Sequence, residues 1–119
     1  MAYDTDNIFA KILREELPCN KVYEDEHVLA FEDIEPVAPV HVLVIPKGEY
    51  VSFDDFMTAA PQDLIQGFFA GVQKVASQLK LQENGYRIIS NHGEDAGQLV
   101  PHFHVHVVAG KRLDGLVAE

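Results

Sequence analysis

Residues 97–110 read GQLVPHFHVHVVAG, with His102, His104 and His106 alternating with Phe103, Val105 and Val107. Successive residues of an extended strand point to opposite faces. The three imidazoles therefore share one face, and the three apolar side chains share the other, toward a core. Strict alternation of this length conflicts with the 3.6-residue helical period, so the stretch reads as a half-buried strand. One strand histidine is ordinarily a partly buried, hydrogen-bonded side chain. Three in a row load one sheet face with polar groups that all need partners, which points to chemistry. One possibility is a metal site, with His-x-His giving two ligands and His41 or Asp33 a third. The other is a nucleophilic imidazole whose neighbours fix its tautomer and charge. The row alone does not choose between them.

The loop just upstream favours the second. Asn91, Gly93, Gly97 and Gln98 form a small-residue segment entering the strand. Such a loop lets backbone N–H groups approach an anion and sets an amide donor beside it. An imidazole attacking phosphorus needs donors of this kind on the developing equatorial charge.

Working outward, the rest of the chain supplies a sheet for this strand. TDNIFAKILREE (5–16) puts Ile8, Phe9, Ile12 and Leu13 at helical spacing, with Thr5 or Asp6 as N-cap and Pro18 as the stop. KVYEDEHVLAFEDI reads as two short strands about a turn at Asp25–Glu26, and HVLVIPK as a buried strand after the proline-punctuated loop EPVAPVH. Pro61 to Leu81 is predicted to be the main helix, with a stripe from Leu64 to Leu79, and NGYRIISN a turn and strand. The order helix, three strands, helix, two strands, with short connections, favours antiparallel pairing and an α+β fold.

The chain has 119 residues, 47% hydrophobic and 24% charged, which suits a single domain over residues 1–119. Its formal net charge of −10 argues against a nucleic-acid or anionic-membrane surface, since both need clustered Lys and Arg. A single small phosphate ligand is compatible with that charge. No apolar run approaches the ~20 residues of a membrane span. The stretch MAYDTDNIFAKI lacks the basic region and cleavage site of a signal peptide, and Cys19 has no second cysteine to pair with. The expected location is the cytoplasm.

At GQLVPHFHVHVVAG the sequence resembles the histidine triad family of nucleotide hydrolases and transferases. Alternating histidines after a Gly-Gln pair carry the resemblance. It extends through NIFAKILREELP, VYEDEHVLAFEDIEPVAPVHVLVIPK and GYRIISN, in the family's order and spacing. The likeness is to the small branch that cleaves purine nucleoside phosphoramidates. It implies a five-stranded antiparallel sheet with two helices, a two-fold dimer, a purine nucleotide ligand and no cofactor.

By the same resemblance His104 is the nucleophile on the α-phosphorus of a nucleoside monophosphate derivative, forming a covalent nucleotidyl-histidine. His102 would contact the phosphate and leaving side, while His106 and His41 orient His104. Asn91, Gly97 and Gln98 would hold the phosphate. Asp33 would accept both ribose hydroxyls, an arrangement that rejects deoxy sugars. Ile8, Phe9, Ile12, Leu17, Phe31, Ile34 and Leu43 match positions of the base pocket. Two departures stand out. Bacterial relatives that bind a structural zinc carry Cys-x-x-Cys where this chain has Asn7 and Ala10, so no metal is expected. The residue after Gln98, often Ser or Thr in the family, is Leu99, on the leaving-group side. Leucine cannot relay a proton to an amine, which favours acyl adenylates over phosphoramidates. Two other functions fit the same residues: a dinucleotide polyphosphate hydrolase, and a nucleotide-binding regulatory dimer with little turnover.

Overall fold

The computed structural model describes residues 2–117. Helix α1 (Ile8–Leu13) precedes strands β1 (Lys21–Glu24), β2 (Val28–Glu32) and β3 (Val40–Pro46). Helices α2 (Phe53–Ala59) and α3 (Gln62–Gln78) follow, then strands β4 (Arg87–Ile89) and β5 (Val105–Ala109). The strands form one antiparallel sheet in the order β1-β2-β3-β5-β4. This is the expected α+β architecture. Among the described residues no helix is long and apolar enough to cross a membrane.

Three local expectations are corrected. The cap of α1 is Asn7, not Thr5 or Asp6: its side-chain oxygen accepts from Ala10 N–H at 2.9 Å. Asp4 dictates this, because its carbonyl receives both the Asn7 N–H and the Asn7 amide, closing a turn that ends at residue 7. The main helix stops at Gln78, short of Leu81, where Lys80 adopts a left-handed φ of 59° and a short 3₁₀ turn returns Leu81 to the core. Finally, α2 was not anticipated, so the sheet carries three helices rather than two. It is only seven residues long, too short to display a period. Its legible signal was Ser52-x-x-Asp55, a capping pattern in which Ser52 Oγ accepts from Asp55 N–H and Asp55 accepts from Val51 N–H.

The sheet buries apolar residues on both faces. On one, Val42, Val44, Phe103, Val105 and Val107 pack against Phe56 of α2 and Phe68, Val72 and Val75 of α3. Gly71 allows α3 this close to β2, since a Cβ there would lie 2.8 Å from Val28. On the other face Phe9 of α1 covers a smaller cluster of Leu29, Phe31, Leu43 and Ile45. The histidines belong to this second face. The strand that was to carry all three is shorter than expected: β5 starts at Val105, so only His106 lies within the ladder. His102 and His104 sit in the lead-in, where Phe103 N–H donates to the Tyr50 carbonyl at 2.7 Å. The alternation survives there because that lead-in still sends Phe103 to the core.

Candidate active site

The two central strands set the geometry. Antiparallel register puts His106 opposite Leu43, and His41 two residues earlier on β3, so both rings emerge on the α1 face. His41 Nε2 and His106 Nδ1 lie 2.9 Å apart, and Asp33 Oδ2 is 3.3 Å from the same His41 nitrogen. His104 comes from the lead-in, its ring meeting the edge of Phe9 with centroids 5.0 Å apart.

Proton positions follow from the partners of each ring. Val37 N–H donates to His41 Nδ1 at 3.1 Å, so the His41 proton is on Nε2 and is donated to His106 Nδ1. His106 therefore keeps its own proton on Nε2. His104 Nδ1 is 2.6 Å from the His102 carbonyl, which can only accept, so the His104 proton is on Nδ1. The lone pair of His104 is left on Nε2, on a ring that lines a cavity of 170 Å³ together with His106, Asp33 and Asn91. An uncharged imidazole with one nitrogen tied and the other open has the form of a nucleophile.

His102 is placed differently from the role the resemblance implies. It is fully buried, and both ring nitrogens are engaged: Nε2 donates to the Pro46 carbonyl at 3.1 Å, and Nδ1 accepts from the Tyr3 hydroxyl at 2.6 Å. It stands behind the cavity rather than lining it. Tyr3 is the participant that sequence reasoning missed, and no motif or spacing marks it.

Burial controls the charge of the row. It pushes His102 and His106 down to about 4, with like-charge repulsion from neighbouring rings acting in the same direction. It also lowers His104, against the opposing pull of the His102 carbonyl and Asp33. All three rings are thus neutral at pH 7. Folding stability responds with a definite sign. An unfolded histidine takes up its proton near 6.5, whereas His102 and His106 in the fold resist until about 4. Their stabilisation is whole above pH 6.5 and is lost as pH falls toward 4, because the unfolded chain binds more protons in that window. His102 contributes on the order of 2–3 kcal/mol to this loss, and His106, partly open to solvent, contributes less. Thermal melts from pH 7 to pH 4.5 should record a steady fall, and a flat profile would contradict the burial argument.

The remaining residues divide. Phe9 and Leu43 line the histidine cavity, and Phe31 is buried in the cluster behind them. Ile12 and Leu17 line a different and larger cavity, of 820 Å³, that contains none of the histidines. Ile8 is half exposed and Ile34 is 91% exposed. The seven expected base-pocket residues are therefore not gathered into one wall. Gly97 and Gln98 do line the histidine cavity, but their donors are engaged within the loop: Gly97 N–H donates to the Glu94 carbonyl, and the Gln98 amide donates to the carbonyls of Val51 and Val100. Gln98 Oε1 accepts from Gly93 N–H, so this side chain staples the loop that carries Asn91. Leu99 is 91% exposed and sits between the histidine cavity and a neighbouring groove of 750 Å³. It does not turn into the core.

A metal was the rival chemistry. Asp33, His41 and His106 offer ligand atoms within 4.8 Å of one another. A metal on His41 Nε2 would move the ring proton to Nδ1, which faces the Val37 N–H. Metal-bound histidines present that second N–H to an acceptor, and here two donors would meet. His102 and His104 each have a nitrogen committed to a carbonyl, and neither belongs to the group of described residues whose ligand atoms converge. The donor set suits a proton-ordered row.

Residues 14–113 match the HIT domain family model. The chain belongs to the HIT family. A HIT-like protein of Azospirillum brasilense is 56% identical over 117 residues, spanning 98% of this chain and 96% of its own. A histidine triad protein from Clostridium difficile superimposes with a TM-score of 0.85 at 41% identity, covering 98% of this chain and 100% of its own. A HIT family hydrolase from Legionella pneumophila gives a TM-score of 0.85 at 35% identity, over 92% and 96% of the two chains. Like this HIT protein, each matches over nearly its whole length, so the fold that holds the histidines is common to them.

Proposed function

We propose that this HIT protein hydrolyses nucleoside 5′-monophosphate derivatives, purine ones above all, through a covalent nucleotidyl intermediate on His104 Nε2. The observation that carries the reading is the 2.6 Å contact from His104 Nδ1 to the His102 carbonyl, which leaves the Nε2 lone pair open to the cavity. Membership of the HIT family, with a structural neighbour that is itself a hydrolase, agrees with it.

In this mechanism Nε2 attacks the α-phosphorus, the bond to the leaving group breaks, and the leaving group departs with its electron pair. His106 donates its Nε2 proton in a hydrogen bond to a phosphoryl oxygen, and Asn91 offers an amide beside it. His41 holds the His106 tautomer, and Asp33 receives the ribose hydroxyls from the rim. Water then attacks the same phosphorus and gives up a proton to solvent. The bond from phosphorus to Nε2 breaks with its electron pair returning to His104, and the nucleoside monophosphate leaves. The leaving group extends past Leu99 into the neighbouring groove. With no hydroxyl at position 99, leaving groups that depart without protonation, such as carboxylates, are favoured.

Quenching the reaction in alkali and mapping peptides by mass spectrometry tests the step. The mass of a nucleoside monophosphate should appear on the peptide containing His104, faster from ribonucleotide than from 2′-deoxyribonucleotide substrates. Turnover with no label, or with label on another residue, would refute covalent catalysis at His104. The reading includes a two-fold dimer, with edge strand β4, where Ile88 is half exposed, and the Phe69 side of α3 as contact surfaces. Sedimentation at micromolar concentration should give twice the chain mass, and a monomer would count against it.

A further inference from the structure

The first seven residues, MAYDTDN, contain no part of the histidine signature, yet they deliver one side chain to it. Asp4 Oδ1 accepts from Asp6 N–H, the Asp4 carbonyl receives Asn7, and Arg14 pins the Thr5 carbonyl at 2.8 Å. This turn points Tyr3 back across α1. Its ring meets the edge of the His102 ring at 5.6 Å between centroids, and its hydroxyl lies 2.6 Å from His102 Nδ1.

We propose that Tyr3 is a positioning residue for the histidine row: by donating to His102 Nδ1 it holds the His102 ring fixed, so that the His102 carbonyl can orient His104. This rests on the reading that His104 is the reacting ring. His102 Nε2–H faces a carbonyl, so Nδ1 carries a lone pair that must be satisfied in a fully buried place. Tyr3 is the group that satisfies it. Burial raises the pKa of the phenol, which keeps it a donor at working pH. The charged groups facing Tyr3 are Glu49, Arg14 and Asp4, with the Asn7 amide also in contact. Besides Tyr3 itself, the titratable group facing His102 is His104. Without the hydroxyl, the buried Nδ1 lone pair has no partner and the His102 ring keeps only one of the two bonds that hold it. The His102 carbonyl is then less firmly placed, and His104 Nε2 is aimed less well at the phosphorus.

Tyr3→Phe keeps the ring packing and removes only the donor. It should lower kcat about tenfold, the scale of one buried polar group left unpaired. KM should change little, because Tyr3 does not line the histidine cavity. The acid limb of the kcat profile should move up by about one pH unit as His102 becomes easier to protonate. His102→Gln supplies the second arm. Its amide reproduces the donor to the Pro46 carbonyl but has no atom at the Nδ1 position, so Tyr3→Phe should have no further effect in that background. Independent, multiplying losses, or a Tyr3→Phe enzyme matching the wild type across pH, would overturn the assignment. Nitrogen-15 spectra of His102 read the bond without substrate. The wild type should show Nε2 protonated and Nδ1 accepting from a slowly exchanging hydroxyl proton, and spectra lacking that bond overturn the assignment whatever the activity. A wild-type protein that shows the bond but never labels His104 defeats the hydrolase reading instead.

Discussion

His104→Ala should lower turnover of a nucleotidyl substrate by on the order of 10⁴–10⁶-fold, the range seen when one member of a nucleophilic unit is removed. Nucleotide binding should persist, because the cavity walls from Phe9, Leu43, Asn91 and Asp33 are untouched. The replacement removes the ring that packs on Phe9, so a modest loss of stability accompanies it. Steady-state kinetics beside calorimetric binding of the monophosphate separates the two effects. Activity above a few per cent of wild type, in a protein that still melts cooperatively, would mean the attack on phosphorus comes from elsewhere.

The second large effect concerns the residue between the first two histidines. Phe103 is 1% exposed, stacked on Phe56 with centroids 4.7 Å apart and tilted against Phe68 at 5.0 Å. Phe103→Ala should cost about 3–5 kcal/mol, through lost burial and the cavity left behind. That is a large part of the 5–15 kcal/mol that holds a typical domain. Chemical denaturation should show the midpoint falling with the slope preserved. Leu99→Ala, at a 91% exposed position four residues away, is the control and should stay within about 0.5 kcal/mol. Similar losses for both would mean that the lead-in to β5 is not anchored through Phe103.

The alternation of residues 102–107 could be read because period 2 is a property of extended backbone, whether or not a ladder forms. It assigned Phe103 and His104 to opposite sides although neither lies in β5. Helix α3 was legible because its apolar stripe is long enough to show a helical period, and β3 because its apolar run is unbroken between turn signals. What each ring binds was not legible. Val37 N–H, the carbonyls of Pro46 and His102, and the Tyr3 hydroxyl are partners created by tertiary placement. Main-chain groups leave no mark on a sequence, and Tyr3 is 99 residues from His102. His102 was therefore given a role at the phosphate that its burial does not support. Gln98 shows the same limit, since an amide near glycines reads equally as an anion donor or as a loop staple.

In the strand order β1-β2-β3-β5-β4, the strands that supply His41 and His106 are interior members flanked on both sides. The segment that supplies Asn91, Leu99 and the wall of the leaving-group groove is an irregular connection between β4 and β5. The rings that set the proton order are thus held in the part of the molecule that opens last. His104, at the end of the connection, is tied to that part through the buried Phe103, while Asn91 and Leu99 lie in a stretch that can open alone. Such a division lets an evolving lineage exchange one leaving group for another by rewriting the exposed residues of that connection, with the reacting imidazole and its proton order inherited intact.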